Sequence, residues 1–293
     1  MSQIVVLSGK GGTGKTSIVA GLATVMTSKV LADCDVDAAD LHLIAKPQVV
    51  TTQDFISGEL ARIDPQECSH CLLCQSRCRF EAITDEPRVL QEHCEGCGLC
   101  AFTCPVEAIH MEPRHCGWWY ESRTRFGSMV HAALKPGAEN SGRLVTTVRR
   151  RAAELAEQEG CAHLLVDGSP GIGCPVIASL TGADLALLVV EPTVSALHDL
   201  RRVHELARHF RIPCLVLLNK ADLSDERVRE IREFCAGSDL PLIAEIPYDQ
   251  VFTKAQLAGQ SVVELDPDNQ RPRFEAIWSR MRDVLEKTSL VRL

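Results

Sequence analysis

Short apolar segments alternate with amphipathic segments along most of the chain. Six segments have the length and composition of buried strands: residues 4–7, 30–32, 163–166, 185–190, 214–218 and 242–246. Apolar residues at helical spacing predict helices at residues 15–28, 142–158, 194–210 and 225–235. Buried strands that alternate with helices are typical of a mainly parallel sheet flanked by helices. The pattern therefore predicts an α/β fold.

The alternation stops between residues 62 and 115, where cysteines replace the apolar periodicity. The chain has 14 cysteines among its 293 residues, and eight of them lie in this segment. We therefore predict that residues 1–61 and 116–293 form one α/β domain. Residues 62–115 are predicted to form a small inserted α+β domain.

Composition and charge exclude several classes of protein. Hydrophobic residues make up 45% of the chain and charged residues 24%, as in ordinary folded domains. The net charge of −8 argues against a dedicated nucleic-acid-binding protein, which needs a basic surface. No leader pattern precedes the first strand, and no apolar segment approaches the ~20 residues that span a bilayer. We expect a cytoplasmic protein that has neither nucleic acid nor membrane as its partner.

A glycine-rich turn with two lysines lies between the first predicted strand and the first predicted helix. Its residues fit the phosphate-loop pattern G-x-x-x-x-G-K-[ST]: Gly9, Lys10, Gly11, Gly12, Thr13, Gly14, Lys15 and Thr16. Glycines allow backbone N–H groups to approach phosphates, and the helix N-terminus favours their negative charge. Lys15 is expected to reach the β- and γ-phosphates, and the Thr16 hydroxyl to hold Mg²⁺. The motif predicts a P-loop NTPase.

The additional lysine gives this loop the form K-G-G-x-G-K-[ST], and here the chain resembles the MinD/ParA family of ATPases. The resemblance implies that Lys10 reaches across a homodimer to the partner's nucleotide; a solvated loop lysine is the alternative. It also implies that Asp35, the second acidic residue of a D-x-D segment, orients or deprotonates the attacking water. Phosphoryl transfer depends mainly on positioning and charge, so one carboxylate suffices. For Asp33 and Asp37, a role in the nucleotide site and a solvated carboxylate in a turn are equally good interpretations.

Two further strand ends carry candidate nucleotide contacts. Asp167 ends the strand at residues 163–166 and is expected to contribute to the Mg²⁺ site, and the glycine-rich segment 168–173 resembles the switch II segment of the family. The strand at residues 214–218 leads into N-K-A-D, where the resemblance assigns Asn219 to the adenine edge. The same pattern reads guanine in GTPases through its last residue, here Asp222. GTP therefore stays an alternative, although the form of the P loop favours ATP.

The clustered cysteines repeat the spacing C-x₂-C-x₂-C-x₃-C, which is that of bacterial ferredoxins with two clusters. In such modules the fourth cysteine of each run ligates the other cluster. One [4Fe–4S] cluster is expected on Cys68, Cys71, Cys74 and Cys104, and the second on Cys78, Cys94, Cys97 and Cys100. A pair of zinc sites is the alternative, although zinc usually takes two separated C-x₂-C pairs. Clusters with a purely structural role are a further alternative.

The other chemical features of the sequence are weaker. We expect the remaining cysteines to be mostly small packing residues: Cys34, Cys116, Cys161, Cys174, Cys214 and Cys235. The last predicted helix, at residues 273–287, mixes apolar and basic residues. We expect it to pack on the sheet, with an interfacial membrane helix as the alternative.

Together these features predict a homodimeric ATPase, or a heterodimer with a related ATPase, with ATP, Mg²⁺ and two [4Fe–4S] clusters as cofactors. Lys10, Lys15 and Asp35 are the expected catalytic residues. The first hypothesis is that nucleotide state is coupled to electron transfer or to iron–sulfur cluster handling, with a redox or iron–sulfur protein as partner. The alternative is a MinD-like ATPase that positions or recruits a partner, with the clusters in a structural or redox-sensing role.

Overall fold

A computed structural model describes residues 1–138 and 141–291, with side chains up to residue 288 in the last helix. The strands are β1 (Ser2–Ser8), β2 (Lys29–Asp33), β3 (Gln48–Ile63), β4 (Ile109–Thr124), β5 (Gly127–Leu134), β6 (His163–Pro170), β7 (Leu185–Val190), β8 (Cys214–Asn219) and β9 (Leu242–Ile246). The helices are α1 (Lys15–Val25), α2 (Leu41–Ala45), α3 (Leu73–Arg77), α4 (Leu99–Thr103), α5 (Ser141–Gln158), α6 (Cys174–Leu180), α7 (Ala196–His209), α8 (Asp225–Gly237), α9 (Gln250–Ala258), α10 (Val262–Leu265) and α11 (Pro267–Val291).

The chain divides into two compact units. Unit 1 comprises Met1–Thr52, Trp119–Ala133 and Ser141–Leu293, and unit 2 comprises Gln53–Trp118 and Leu134–Asn140. The predicted inserted domain, residues 62–115, falls inside unit 2, which takes in further residues on either side. Residues 292 and 293, the last of the predicted ATPase domain, lie outside the described residues.

A mainly parallel sheet forms the centre of unit 1. The strand order of the sheet is β3-β4-β5-β2-β6-β1-β7-β8-β9. Strand β1 lies between β6 and β7 and pairs with both in parallel, with Ile4 opposite Leu165 and Leu185. The pairs β2–β5, β2–β6, β7–β8 and β8–β9 are also parallel. The strands of this core are buried on both faces, as the apolar runs predict.

The last helix, α11, packs into the core of unit 1. Phe274 and Met281 on this helix are fully buried, and they belong to the same apolar cluster as Ile18 of α1 and Leu187 of β7. Because the apolar side of α11 is already covered, the packing expectation holds for this helix. No helix among the described residues is long and apolar enough to cross a bilayer.

The sequence pattern did not predict β3, β4 or β5. Strands β3 and β4 are 16 residues long, and each contributes residues to both units. Most residues of β3 are exposed, and Val49 and Val50 are among them. A strand that buries few residues lacks the apolar run or clean alternation by which strands are recognised. Exposure therefore explains why the sequence pattern does not predict β3.

Unit 2 has a small core in which cysteines take part. Its buried residues are Ala61, Cys74, Ala82, Ile83, Cys94 and Ile109. The two short helices of the unit, α3 and α4, each begin one residue before a cysteine of the repeated spacing. A backbone bond from Asp64 N to Ala108 O joins the residues that flank the cysteine segment.

Candidate functional site

The candidate nucleotide site lies at the carboxyl ends of the strands in unit 1. The P loop follows β1, Asp35 follows β2, Asp167 lies near the end of β6, and Asn219 ends β8. Since neighbouring parallel strands end at the same edge of a sheet, four separated chain segments meet there. They meet around a cavity of about 370 Å³ whose lining includes residues from the P loop, Asp35 and Asn219.

Glycine is required where the P loop enters α1. Gly14 adopts φ +91°, and a Cβ at this position would lie 2.4 Å from the side-chain nitrogen of Asn219. Gly12 also has a positive φ of +81°. These conformations favour residues without a Cβ. They place the start of α1, where backbone N–H groups are unpaired, beside the cavity.

Lys15 is buried between two carboxylates. Its Nζ donates to Asp167 Oδ1 at 2.5 Å and lies 3.4 Å from Asp35 Oδ2. Lys15 and Asp167 are 6% and 0% exposed in their side chains, so this ion pair is almost completely removed from water. The structure therefore brings together three residues that the sequence assigned to catalysis and Mg²⁺.

Burial and mutual charge shift the pKa values of these groups. Burial lowers the pKa of Lys15, but the carboxylates of Asp167 and Asp35 outweigh it and leave the pKa raised. Burial and repulsion from Asp167 raise the pKa of Asp33 well above its usual range. Burial also raises the pKa of Asp35, against the opposing effect of Lys15. The site therefore holds more acidic groups than its single buried lysine can neutralise.

Two buried carboxylate oxygens in this cluster lack a hydrogen-bond partner within the described residues. They are Asp33 Oδ2 and Asp167 Oδ2. Such orphaned oxygens beside a phosphate loop fit a hard cation, because Mg²⁺ is usually bound by one or two carboxylates, a hydroxyl and phosphate oxygens. Thr16, half-buried at the start of α1, lines the same cavity. These oxygen donors are of the kind that Mg²⁺ prefers, and the assignment of Thr16 and Asp167 to Mg²⁺ stays a prediction.

Asn219 and Asp222 are engaged by the protein itself. Asn219 Nδ2 donates to the backbone oxygen of Thr13 at 2.8 Å, so this amide braces the P loop. Asp222 Oδ1 accepts from the backbone N–H of Tyr248 at 2.5 Å. Tyr248 and Asn219 both line the cavity. The base-contact role assigned to Asn219 stays a prediction, and its bond to the P loop was not foreseen.

Lys10 points to its own chain. Its Nζ lies 2.8 Å from Glu191 Oε1 and donates to Thr193 Oγ1 at 2.8 Å. Glu191 Oε2 lies 2.7 Å from Lys220 Nζ, which also donates to the backbone oxygen of Gly12 at 3.0 Å. Sequence reasoning missed Glu191 and Lys220. The available signal was a carboxylate directly after the wholly apolar strand β7, at the sheet edge that carries the P loop.

The segment that resembles switch II begins inside a strand. Strand β6 continues through Gly168 to Pro170, and Pro170 is opposite Ser8 of β1. A Cβ on Gly168 would lie 2.5 Å from Leu7 Cδ2, so close packing against β1 extends the strand beyond Asp167. Gly171 then adopts φ +90° and donates its N–H to Ser8 O. The glycine run therefore starts as ordered sheet.

The clustered cysteines line two cavities in unit 2. One cavity is lined by Cys68, Cys71, Cys74 and Cys104 among other residues. The other, of about 210 Å³, is lined by Cys78, Cys94, Cys97 and Cys100 among others. In each case three cysteines of one run meet the fourth cysteine of the other run. All eight are free thiols.

The first of these cavities is much the smaller, at about 20 Å³. Across residues 1–138 and 141–291, no three His, Cys, Asp or Glu side chains form a group that could hold a metal ion. What the two sets share with a cubane site is the chemistry of the donors, four thiols around each cavity. The clusters therefore stay a prediction.

The six cysteines outside these sets divide by exposure. Cys34, Cys116, Cys214 and Cys235 are buried, as expected for small packing residues, and Cys161 is half-buried. Cys174 is exposed at the start of α6, so the packing expectation is wrong for this residue. The reason is that it is the first residue of a short helix after the glycine run.

Comparisons with known proteins place this site in a family. The family description "CobQ/CobB/MinD/ParA nucleotide binding domain" matches residues 4–262. The uncharacterized protein MJ0578 of Methanocaldococcus jannaschii is 35% identical over 226 residues, or 76% of this chain and 79% of that protein. MinD from Pyrococcus horikoshii, complexed with Mg-ADP, is 19% identical with a TM-score of 0.58, covering 98% of this chain and 95% of that one. MinD of the Aquifex aeolicus MinC:MinD complex matches with 19% identity, a TM-score of 0.56 and 96% coverage of each chain.

These similarities differ in what they establish. The solved structures share the fold, so the predicted α/β P-loop architecture with a mainly parallel sheet flanked by helices is confirmed. The ferredoxin-like insertion has no such support and stays a prediction. The family match spans most of the chain, from the start of β1 to the start of α10. The chain therefore belongs to the CobQ/CobB/MinD/ParA family of nucleotide-binding domains.

Proposed function

We propose that this protein is a Mg²⁺-dependent ATPase whose nucleotide state controls its association with a partner protein. The observation that carries the proposal is Lys15, buried between Asp35 and Asp167 at the mouth of a phosphate loop. The similarity to MinD structures, one bound to Mg-ADP and one in complex with MinC, supports it. Of the two hypotheses drawn from the sequence, the MinD-like switch has the better support.

Binding of ATP would rearrange the charges around Lys15. The ammonium group now neutralises Asp167 and Asp35. Phosphates in the cavity compete for the same ammonium group, so Lys15 turns to them and leaves Asp167 free. Thr16 and Asp167 would then hold Mg²⁺, which supplies charge neutralisation of the phosphates. Asp35, no longer paired with Lys15, is available to orient the attacking water and accept its proton.

Substitution of Asp35 tests this proposal. We expect Asp35→Asn to lower steady-state ATP hydrolysis by about 100-fold or more, while ATP binding stays within about threefold of wild type. The matched control is Asp239→Asn, an exposed turn residue with φ +51°, a conformation that Asn tolerates. Hydrolysis that survives Asp35→Asn would contradict the assigned role. A wild-type chain that binds no ATP would overturn the proposed function.

The engaged state of Asp222 favours ATP over GTP. Guanine recognition by N-K-x-D requires the aspartate to face the base, whereas Asp222 accepts the N–H of Tyr248. Lys220 is likewise turned to Glu191 and the P loop. We expect a labelled ATP analogue to be displaced by ATP at concentrations at least tenfold below those needed for GTP. Equal displacement would contradict this assignment.

We propose secondly that unit 2 carries two [4Fe–4S] clusters. The support is the crossed arrangement of the cysteines, in which Cys104 lines one cavity with the first run and Cys78 lines the other with the second. Each set offers four thiolates, the donor set of a cubane. In this proposal the clusters serve electron transfer, cluster handling or redox sensing, and the nucleotide switch decides when a partner reaches them.

Anaerobic purification with iron and acid-labile sulfide analysis tests the clusters. We expect about eight iron atoms per chain, and about four in Cys104→Ser or Cys78→Ser, since each variant breaks one set. Cys235→Ser, which changes a buried thiol of α8 in unit 1, is the control. One zinc ion per set would refute the clusters. An EPR signal that shifts with Mg·ATP would assign them to electron transfer, and an unchanged signal to a structural or sensing role.

A further inference from the structure

Glu191 is a carboxylate shared by two lysines of the nucleotide site. It follows β7 directly, and each of its oxygens holds one lysine: Oε1 lies 2.8 Å from Lys10 and Oε2 lies 2.7 Å from Lys220. Lys10 also donates to the hydroxyl of Thr193, two residues further along. Lys10 is therefore held at two points, Glu191 and Thr193, by one short segment of its own chain.

The environment of Glu191 makes these contacts stronger than surface ion pairs. The Glu191 side chain is only 11% exposed, and the lysines are 32% and 27% exposed. Partial burial reduces screening by water and salt. The hydrogen bonds from Lys10 and Lys220 lower the pKa of Glu191 although burial acts to raise it. Glu191 is thus ionised and paired at neutral pH.

The same carboxylate connects the two halves of the nucleotide site. Lys220 donates to the backbone oxygen of Gly12, and its neighbour Asn219 donates to that of Thr13. Through Lys220, Glu191 therefore links Lys10 at the start of the P loop with Gly12 further along the same loop. If Lys10 moves away, Glu191 loses one of its two lysine partners and stays paired with Lys220 alone.

We propose that Glu191 is a positioning residue that retains Lys10 on its own chain until a nucleoside triphosphate draws it away. The inference rests on the proposed nucleotide function of the site. Phosphate oxygens and the Glu191 carboxylate compete for one ammonium group, so Glu191 opposes nucleotide binding. Glu191 opposes the binding of ATP more than that of ADP. The reason is that the γ-phosphate adds negative charge, and ATP is fully bound only when Lys10 has left Glu191. Glu191 thereby sets the ratio of ATP to ADP affinity.

Calorimetric titration of the full chain with Mg·ATP and Mg·ADP tests the proposal. We expect Glu191→Gln to bind ATP about fivefold more tightly than wild type and ADP less than twofold more tightly. The matched control is Glu121→Gln, which removes a carboxylate of similar exposure (16%) that pairs with Arg151 away from the P loop. This control should leave both affinities unchanged. The ratio of the two affinities is the decisive readout, since a merely structural defect would weaken both nucleotides together.

Thr193→Val provides an independent variant. It removes the hydroxyl that accepts from Lys10 and leaves Glu191 paired with Lys220. We expect it to tighten ATP binding about twofold, with ADP unchanged. If Glu191→Gln folds poorly, this variant still tests whether the retention of Lys10 by its own chain sets the ratio of ATP to ADP affinity, and an unchanged ratio then overturns the proposal.

The possible outcomes separate the inference from the function on which it rests. Wild type that binds neither nucleotide overturns the proposed function. Wild type that binds both, together with an unchanged ratio in Glu191→Gln and in Thr193→Val, overturns the role of Glu191 only. Weaker binding of both nucleotides by Glu191→Gln, with no effect of Thr193→Val, also overturns it.

Discussion

At the scale of residues, the nucleotide site is a cluster of buried charges that does not balance within the protein. Asp33, Asp35 and Asp167 surround one buried lysine, and Asp33 is only 1% exposed. An ionised group without sufficient compensation in a buried place costs stability. A site built to receive a cation and a polyanion carries this cost in the absence of ligands.

Asp33→Asn should stabilise the protein at alkaline pH. The folded-state pKa of Asp33 is raised, chiefly by burial and also by Asp167, so the fold favours the protonated form. The stability that this preference gives is complete below about pH 4 and is lost as pH rises through the raised pKa. We expect the variant to gain about 1–3 kcal/mol over wild type at pH 8 and little at pH 4. Urea unfolding at several pH values measures it, and a variant less stable at every pH would contradict the argument.

His131 should produce the opposite dependence. Burial on β5, with a contribution from His42, lowers the pKa of His131 to about 4. The neutral ring is favoured in the fold, so its stability is present above pH 6.5 and is lost as pH falls towards 4. We expect wild type to lose up to about 3 kcal/mol over this interval from this group, and His131→Gln to lose less. The exposed His198→Gln is the control, and identical acid limbs for wild type and His131→Gln would refute the prediction.

At the scale of elements, the P-loop helix is fixed by its packing against the last helix. Gly21 of α1 faces the ring of Phe274 of α11, and both lie in the buried core. The absence of a side chain at Gly21 is what allows the two helices to approach. The position of the phosphate-binding end of α1 therefore depends on a residue near its middle.

Gly21→Ala should destabilise the protein despite the better helix propensity of alanine. A Cβ at Gly21 would lie 2.3 Å from Phe274 Cε1, and the ring is fully buried, so it moves away only by displacing its neighbours. We expect a loss of about 1–3 kcal/mol in the free energy of unfolding. Gly237→Ala is the control, because nothing lies within 4 Å of a Cβ at the end of α8, and it should gain about 0.4–1 kcal/mol. Equal effects of the two substitutions in thermal unfolding would refute the packing argument.

The elements also show what could be predicted from sequence. The P loop, Asp35 and Asp167 are recognisable because each follows an apolar strand, and strand ends meet at one edge of a parallel sheet. Glu191 follows β7 in the same way, but no local motif marks it, and its role arises from Lys10 and Lys220 far away in sequence. Strand β3 was missed because most of its residues are exposed, and β4 because few of its residues are fully buried, so neither strand shows buried alternation. The local sequence pattern indicates which residues are buried. It does not predict contacts between residues that are far apart in sequence, or strands that bury few residues.

At the scale of the whole molecule, the two units differ in how they are stabilised. Unit 1 has an extended apolar core built from its central strands and from helices such as α1 and α11. The buried core of unit 2 is a small set in which Cys74 and Cys94 take part. Small domains with little apolar core usually depend on metals or cross-links for stability. The proposed clusters would fill that role.

Removal of iron should therefore unfold unit 2 selectively. After anaerobic chelation we expect amides of unit 2 around Ile83 and Ile109 to lose protection from hydrogen exchange, while those of β1 and β7 keep theirs. The two units should differ because the free energy of iron binding stabilises only the unit whose cysteines hold the iron. Mass-spectrometric exchange measures both units in one sample. Unit 2 amides that stay protected after complete loss of iron would contradict the dependence.

The P-loop backbone has a consequence for the kinetics of nucleotide exchange. The carbonyl oxygens of Gly12 and Thr13 accept hydrogen bonds from Lys220 and Asn219, so contacts within the protein hold the loop in its turn. A loop that is already ordered adds no folding step to the encounter with a ligand. ATP and ADP should then enter at nearly the same rate, and the lifetimes of the bound complexes should carry the difference between them. The lifetime of the bound nucleotide would therefore determine how long the protein remains in its ATP-bound or ADP-bound state.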